Sequence, residues 1–541
     1  MAPLPRTRMP PGTEEEAALP AGTGPHRVFA AARPWPLHDL AATRTAEAAA
    51  LKRTVPHALM ARAGLGVARL ARAVVPHARR VTALVGPGNN GGDALVAALH
   101  LMRAGVQVEA LALADPARLP GDAADAWQQA QAAGLPIALD AAAFARARLQ
   151  RSELILDGLL GLGATRAPEG AIADAIAAAN ASGRPILAID LPSGLSADHG
   201  RVLGEQAIRA RWTLSLLALK PGLFTGAGRD HAGDPWFDDL GVSDAGAASA
   251  WLSSWRAPPP PGFAVRQHRQ HKGSFGDLFV VGGAPGMHGA AELAAHAALT
   301  AGAGRVYLSP LDPALAPQRP ELMTAPRIWN DGAERLPNAT VVCGCGGGSH
   351  IAQVLPALLA HVGRLVIDAD GLNALAREPA LTAALRARAA GGRPTILTPH
   401  PLEAARLLGM SAAQVQADRL AAARQLADAS AAVVVLKGSG SVIAAPGRTP
   451  WINASGNAAL ATPGSGDVLA GWIGGLWACQ GPDDDGWASA CRSVWLHGRA
   501  ADLALADHPG HAHLPLRAGD LADAMTAALD DSANSAAHSL A

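Results

Sequence analysis

The sequence predicts an α/β protein of two domains, each built on a mostly parallel sheet. Three observations lead to that class. The chain has 541 residues, and an ordinary domain takes roughly 100–200. Short apolar runs such as Val81–Val85, Leu154–Leu156, Val341–Cys343 and Val433–Leu436 alternate with Ala-rich stretches of helical length, the signature of βαβ units. The alternation breaks once, in a Gly/Ala/Ser stretch that runs into Pro258-Pro259-Pro260-Pro261. A proline run of that kind favours a semi-rigid spacer.

The resulting division is a leader over 1–26, an N-terminal domain over 27–242, a Pro-rich linker over 243–265, a C-terminal domain over 266–530 and a loose tail over 531–541. The leader carries Arg6 and Arg8 but no apolar core, and it holds Glu14, Glu15 and Glu16. It reads as a disordered leader and not as a secretion signal.

Composition narrows the function. With 45 basic and 45 acidic residues the formal charge is zero, which argues against a nucleic-acid binder and a polybasic membrane anchor. No uninterrupted apolar run is long enough for a membrane span. Cys343, Cys345, Cys479 and Cys491 lack metal-ligand spacing, and a disulfide framework is not expected in so long a chain. A cytoplasmic location follows as the expectation. Only Lys52, Lys220, Lys272 and Lys437 are lysines in a chain that otherwise writes its cations as arginine. A retained lysine is a candidate for work that a planar guanidinium cannot do. Lys52 lies outside every glycine-rich loop and is expected on a helix surface.

In the N-terminal half, the strand Val81–Val85 runs into Gly86-Pro87-Gly88-Asn89-Asn90-Gly91-Gly92-Asp93, followed by a helix from Ala94 to Arg103 and a strand over Val106–Leu113. This context lets backbone amides and a helix N-terminus face phosphates. Two further strands end in Asp157 and in Asp190-Leu191-Pro192-Ser193. Ligands of open parallel sheets bind beyond the carboxyl ends of strands, so Asn90, Asp157, Asp190 and Ser193 converge on one site. Their oxygens suit a hard cation or a general base.

Leu59-Met60-Ala61-Arg62-Ala63-Gly64, the Gly88–Asp93 loop, Asp157 with its glycine-rich turn, Asp190-Leu-Pro-Ser-Gly and Lys220-Pro221-Gly222-Leu223 together resemble the NAD(P)H-hydrate epimerase family over about 30–240. The resemblance implies a Rossmann-like domain. It implies a potassium ion (K+) at Asn90, Asp157 and Ser193. It also implies a hydrated dinucleotide, NADHX or NADPHX, held by Asn89, Asn90, Gly91, Gly92, Asp93 and by Gly161, Leu162, Gly163, Ala164, Thr165, Arg166, Ala167. Asp190 would contact substrate and act as the acid/base group, with Lys220 nearby. Ala94 departs from the family's usual Gly, and Leu162 stands where a small or hydroxylated residue is expected.

In the C-terminal half, His271-Lys272-Gly273 precedes the strand Asp277–Val281, a glycine-rich turn over Gly282–Gly289 and a helix over Ala290–Ala301. Strands end at Cys343-Gly344-Cys345-Gly346, at Asp368-Ala369-Asp370-Gly371-Leu372-Asn373, at Thr398-Pro399-His400 and at Lys437-Gly438-Ser439-Gly440-Ser441. The last is read as the partner of a nucleotide's α-phosphate. The sharpest signal is Asn453-Ala-Ser-Gly-Asn457 leading to Thr462-Pro463-Gly464-Ser465-Gly466-Asp467. A glycine-led helix start offers free amides as an anion hole. Asp467 in its first turn can take a hydroxyl proton while the hole holds a transferring phosphoryl group.

This half resembles the ribokinase-type fold, and more closely the NAD(P)H-hydrate dehydratase family, over about 265–530. The resemblance implies that Ala290, Gly346, His400 and Asp467 contact the hydrate, and that Lys437, Gly438, Ser439, Gly440, Ser441 and Gly466 hold ADP or ATP, the phosphoryl donor, with Mg2+. Leu402 and Pro463 depart from the family pattern. Together the halves are expected to repair hydrated nicotinamide dinucleotides: the first interconverts the R and S epimers, and the second dehydrates the S form at the expense of ADP or ATP. The expected partners are these small molecules, with no nucleic acid and no membrane, and a homo-oligomer is expected. The rival reading is a small-metabolite kinase joined to a non-catalytic binding module.

Overall fold

Strands form where β-branched and leucine-rich runs are flanked by glycine, and the Ala-rich stretches between them wind as crossover helices. The computed structural model describes residues 24–30, 33–139, 146–242, 244–253, 266–507 and 514–538. Most of the expected leader and the four-proline run lie outside the described residues.

The first sheet has the strand order His26–Arg27, Asp234–Asp238, Trp212–Leu216, Ile186–Ile189, Leu154–Gly158, Arg80–Val85, Gln107–Ala112, Ile137–Ala138. Every pairing is parallel except the edge pair His26–Arg27 with Asp234–Asp238. His26, read as the end of a leader, is thus already in the sheet. Small side chains let the layers close tightly: a Cβ on Gly64 of the helix Ala58–Val74 would lie 2.4 Å from Val96 of the helix Asn89–Arg103. That second helix starts five residues earlier than expected, so Asn89-Asn90-Gly91-Gly92-Asp93 forms its first turns. Glycine is a poor helix former, but a Cβ at Gly91 would strike the Gly86 carbonyl and one at Gly92 would strike Met60. Packing overrides propensity there.

The second sheet has the order Met323–Thr324, Arg305–Pro310, Asp277–Gly282, Thr340–Cys343, Arg364–Ile367, Thr395–Leu397, Val433–Leu436, Val442–Ala444, Trp451–Ile452, Ala250–Leu252, Trp35–Leu37. Its first seven strands are parallel and bring their carboxyl ends to one side. The last two come from outside the expected domain. Ala250–Leu252, within the stretch read as a linker, pairs with Trp451–Ile452, and Trp35–Leu37 pairs with Ala250–Leu252. Ala250, Leu252 and Leu37 are wholly buried, so burying these apolar residues turns a presumed spacer into sheet. The C-terminal helix Ala518–His538 likewise continues through most of the expected tail.

The helix Ser465–Ala478, which carries Asp467, lies against the helix His288–Thr300 at glycine contacts. A Cβ on Gly471 would sit 2.0 Å from the Ala294 carbonyl oxygen, and one on Gly475 2.4 Å from that of Ala298. Gly471→Ala is therefore expected to lower stability by about 1–3 kcal/mol, although alanine is the better helix former by about 1 kcal/mol. Chemical denaturation measures this, and a stabilised variant would refute the contact.

Candidate active sites

In the first domain three strand ends meet. Asp157, at the end of Leu154–Gly158, is wholly buried. It accepts hydrogen bonds from Ser193 Oγ (2.6 Å), from the Ser193 amide (2.8 Å) and from the Leu159 amide (3.3 Å). No cationic side chain is hydrogen-bonded to it among the described residues. Burial pushes its pKa up to about 6, against the pull of those hydrogen bonds. Asn90 Nδ2 donates to the Leu160 carbonyl (2.9 Å), and the Leu160 amide donates to Ser193 Oγ (2.8 Å). Asn90, Asp157 and Ser193 thereby form one polar knot beneath the turn that begins at Gly158.

Above that turn a cavity of about 1010 Å³ is lined by Asn89, Asn90, Asp93, Gly161 to Ala167, Asp190 and Lys220 among others. Gly91 and Gly92 stand behind it, in the packed helix. Asp190 takes a left-handed backbone conformation, φ 66°, uncommon for a residue with a side chain and often found at reacting positions. Lys220, 1% exposed, donates from Nζ to Asp190 Oδ1 and to the Leu216 carbonyl (2.7 Å). Asp93 is held well above the usual carboxylate range, chiefly by burial and then by the charge of Asp190. Glu47, on the helix Leu40–Leu51, faces the same cavity and is raised by burial and by Asp190. Ala94 is accommodated because a neighbouring strand end is glycine: a Cβ on Gly158 would lie 2.6 Å from the Ala94 methyl.

In the second domain Asp368 ends the strand Arg364–Ile367 and is 1% exposed. Lys437 Nζ donates to its Oδ1 (2.7 Å), and so does Thr398 Oγ1 (2.8 Å). Asp467 stands in the first turn of Ser465–Ala478, whose cap residue Gly464 has φ 87°. A Cβ at Gly464 would press on Leu293 and Ala518. Asp467, Asp368 and the Cys345 thiol lie within 4.8 Å of one another, and the thiol donates a hydrogen bond to Asp467. Burial, then the charge of Asp368, pushes Asp467 up to about 6. A Cβ on Gly466 would come 3.2 Å from Lys437 Nζ, so Lys437 lies directly beside that helix start. Behind it His497 hydrogen-bonds the Ser465 carbonyl (3.0 Å), and burial lowers it to about 4.

Gly346 and Ala290 adjoin, a Cβ on Gly346 falling 3.0 Å from that of Ala290. His400 caps the helix Pro401–Leu408: its Nδ1 accepts from the Leu402 and Glu403 amides, while Glu403 accepts from the His400 amide (2.8 Å). Glu403, 4% exposed, is pushed up to about 7 mainly by burial. Leu402 turns its side chain to solvent, 47% exposed, so its bulk leaves the cap undisturbed.

Comparison with known proteins fits this two-site arrangement. Residues 56–222 match the family described as YjeF-related protein N-terminus, and residues 278–522 match NAD(P)H-hydrate dehydratase. The bifunctional NAD(P)H-hydrate repair enzyme Nnr of Escherichia coli K12 is 37% identical over 460 residues, covering 82% of this chain and 84% of that protein. The chain belongs to the bifunctional NAD(P)H-hydrate repair enzymes. A repair enzyme of Leishmania braziliensis is 34% identical, with 83% of this chain and 85% of that one covered. A solved structure of an ADP/ATP-dependent NAD(P)H-hydrate dehydratase from Bacillus subtilis is 29% identical, covering 50% of this chain and 94% of that one, with a TM-score of 0.41.

Sequence reasoning passed over four groups at this repair enzyme's sites. Asp368 and Thr398 sat inside quoted motifs without a role. Glu47 was an acid in an Ala-rich helix whose proximity to Asp190 only the fold reveals. Cys345 read only as a cysteine without metal-ligand spacing in a glycine-rich turn. Its pKa is held well above the ordinary thiol range by burial and by Asp467, and burial raises that of Cys343 to about 12. Because the thiolate is the nucleophile, neither is expected to react with iodoacetamide at pH 8 until the chain unfolds. Peptide mass spectrometry of native and denatured samples checks this, and native labelling of Cys345 would contradict the burial described.

Proposed function

We propose that the two sites carry the two activities of this repair family, interconversion of the R and S epimers in the first and dehydration of the S form in the second, with Asp190 reacting in the first and Asp467 in the second. The observation that carries the proposal is that each cleft pairs a lysine with a strand-end aspartate, Asp190 itself in the first and Asp368 beside the helix-borne Asp467 in the second. In the first cleft, Asn89, Asn90, Asp93 and the turn Gly161 to Ala167 hold the hydrated dinucleotide. Asp190 removes and returns the proton needed for inversion at the hydroxylated carbon, and the Lys220 ammonium, hydrogen-bonded to its Oδ1, holds the carboxyl group in place.

A potassium ion fits Asn90, Asp157 and Ser193. The donors are hard oxygens, and Asp157 is a buried carboxylate with no cationic hydrogen-bond partner among the described residues. Such an ion would offset that charge and brace the turn on which the substrate rests.

In the second cleft ADP or ATP donates the phosphoryl group. Asp467 takes the proton from the substrate hydroxyl, the hydroxyl oxygen bonds to the terminal phosphorus, and the bond to the departing nucleotide breaks. Loss of phosphate from the carbon and of a proton from its neighbour then restores the double bond of the dihydronicotinamide. Ala290, Gly346 and His400 position the hydrate. Lys437 to Ser441 and Gly466 hold the nucleotide, whose Mg2+ suits the carboxylates of Asp368 and Asp467 but not the Cys345 thiol.

The test is recovery of dihydronicotinamide absorbance from mixed NADHX epimers with ADP, with ATP and with neither. Full recovery with one nucleotide is expected; none with either would refute the reading. Asp190→Asn, which tolerates the left-handed backbone, is expected to stop recovery at the S share by slowing epimerisation about 10²–10⁴-fold. Asp467→Asn should slow dehydration by a similar factor. Asp467 must be ionised to act as a base, and it is held near 6. The saturated dehydration rate is therefore expected to fall as pH drops through about 6; a rate independent of pH between 5 and 7 would remove Asp467 from that role.

A further inference from the structure

The turn that begins at Lys220 continues from the first cleft into the second domain. After the short 3-10 turn Pro221–Leu223, Thr225 is 1% exposed, packed against the loop Lys437 to Ser441. Ser439 Oγ donates to the Gly226 carbonyl (2.8 Å), and the Gly226 amide donates to the Ser439 carbonyl (3.1 Å). Thr225 Oγ1 lies 3.4 Å from the carbonyl oxygens of Ser439 and Gly440. The fit is close, since a Cβ on Gly440 would stand 2.0 Å from the Phe224 carbonyl oxygen.

The same hydroxyl accepts from Arg419 Nε (3.2 Å). Arg419 is 1% exposed, and its Nη2 reaches the carbonyls of Leu436 and Lys437 (3.2 Å each) and of Gly440 (3.5 Å). Its Nη1 donates to Gln416 Oε1 (2.6 Å). The guanidinium therefore gathers the end of the strand Val433–Leu436 and the loop beyond it. Burying a guanidinium among neutral acceptors is costly. The fixed fork of five donors is what can hold a loop with no repeating hydrogen-bond pattern of its own. Preceding it, Asp418 accepts from the Ala421 amide (2.9 Å) and lies 3.6 Å from His199 of the first domain.

We propose that Thr225 and Arg419 are positioning residues for the loop Lys437 to Ser441, so that the first domain sets the second site's affinity for a nucleoside diphosphate. This rests on the reading of that loop as the nucleotide loop. The hydroxyl of Thr225 fixes the guanidinium, the guanidinium fixes three carbonyls, and the loop's amides and Lys437 are thereby held ready for phosphate.

The experiment uses the full chain, with ADP and Mg2+ varied in the dehydration assay and ADP affinity measured by calorimetry. Thr225→Val removes the hydroxyl at nearly constant shape. It is expected to raise both KM and Kd for ADP about 3–10-fold, with kcat at saturating ADP and the epimerisation rate unchanged. Thr225→Ser should restore affinity, and Arg419→Lys should weaken ADP at least as much as Thr225→Val. Unchanged ADP affinity in Thr225→Val, or a fall in kcat at constant KM, overturns the proposal. Ser441→Asp places a negative charge in the loop itself. If it leaves ADP affinity unchanged, the nucleotide reading of the loop fails, and the proposal with it. If it weakens ADP while Thr225→Val does not, only the positioning role fails.

Discussion

An ammonium group set against a carboxylate at the end of a parallel strand is the interaction on which both clefts rest. Lys220 meets Asp190 in one domain and Lys437 meets Asp368 in the other. A carboxylate buried without a cationic partner is driven towards its neutral form, as Asp157 illustrates at about 6. Each lysine sets an opposite charge directly against its aspartate in low-dielectric surroundings. A lysine does this with a compact charge that leaves the carboxylate's other oxygen free, whereas a guanidinium fork tends to engage both. Two of the four lysines in this arginine-rich chain have that task. The other two, Lys52 and Lys272, are exposed.

The two pairs serve different ends. At Asp190 the lysine touches the group assigned to the reaction. At Asp368 it touches a neighbour of Asp467, and the charge of Asp368 helps raise Asp467 while Lys437 restrains that rise. Asp467 thus combines a first-turn position, where helix amides favour an anion, with burial that resists one. Burial dominates and leaves the group near 6, basic enough to accept a proton and ionised at neutral pH.

Much of this was legible in the sequence because strand ends and glycine turns are local features. The Asn90, Asp157, Asp190 and Ser193 convergence follows from the rule for open parallel sheets, and these residues do adjoin one cavity and its floor. The start of the Asn89–Arg103 helix was not legible. Glycine propensity points to a loop, and only the contacts of Gly91 and Gly92 with Gly86 and Met60 explain a helix there. Nor were Ala250–Leu252 and Trp35–Leu37 legible as sheet. Each is three residues long, with partners far away in sequence, and no local pattern encodes such pairing. Arg419 illustrates the same limit: nothing in its helix announces that its side chain ends on carbonyls of a loop.

The shared second sheet also bears on the order in which the chain can be completed during synthesis. Trp35–Leu37 leaves the ribosome among the first strands, and Ala250–Leu252 follows before any of the second domain's own sheet exists. These two can pair with each other, but they have no sheet to join until Trp451–Ile452 has been made. A two-stranded ribbon is marginal alone in water, and an open strand edge invites pairing with other chains. The nascent first domain therefore carries an unfinished apolar flap while the roughly 200 residues from Leu252 to Ile452 are made, a stage at which its open edge is exposed to other chains.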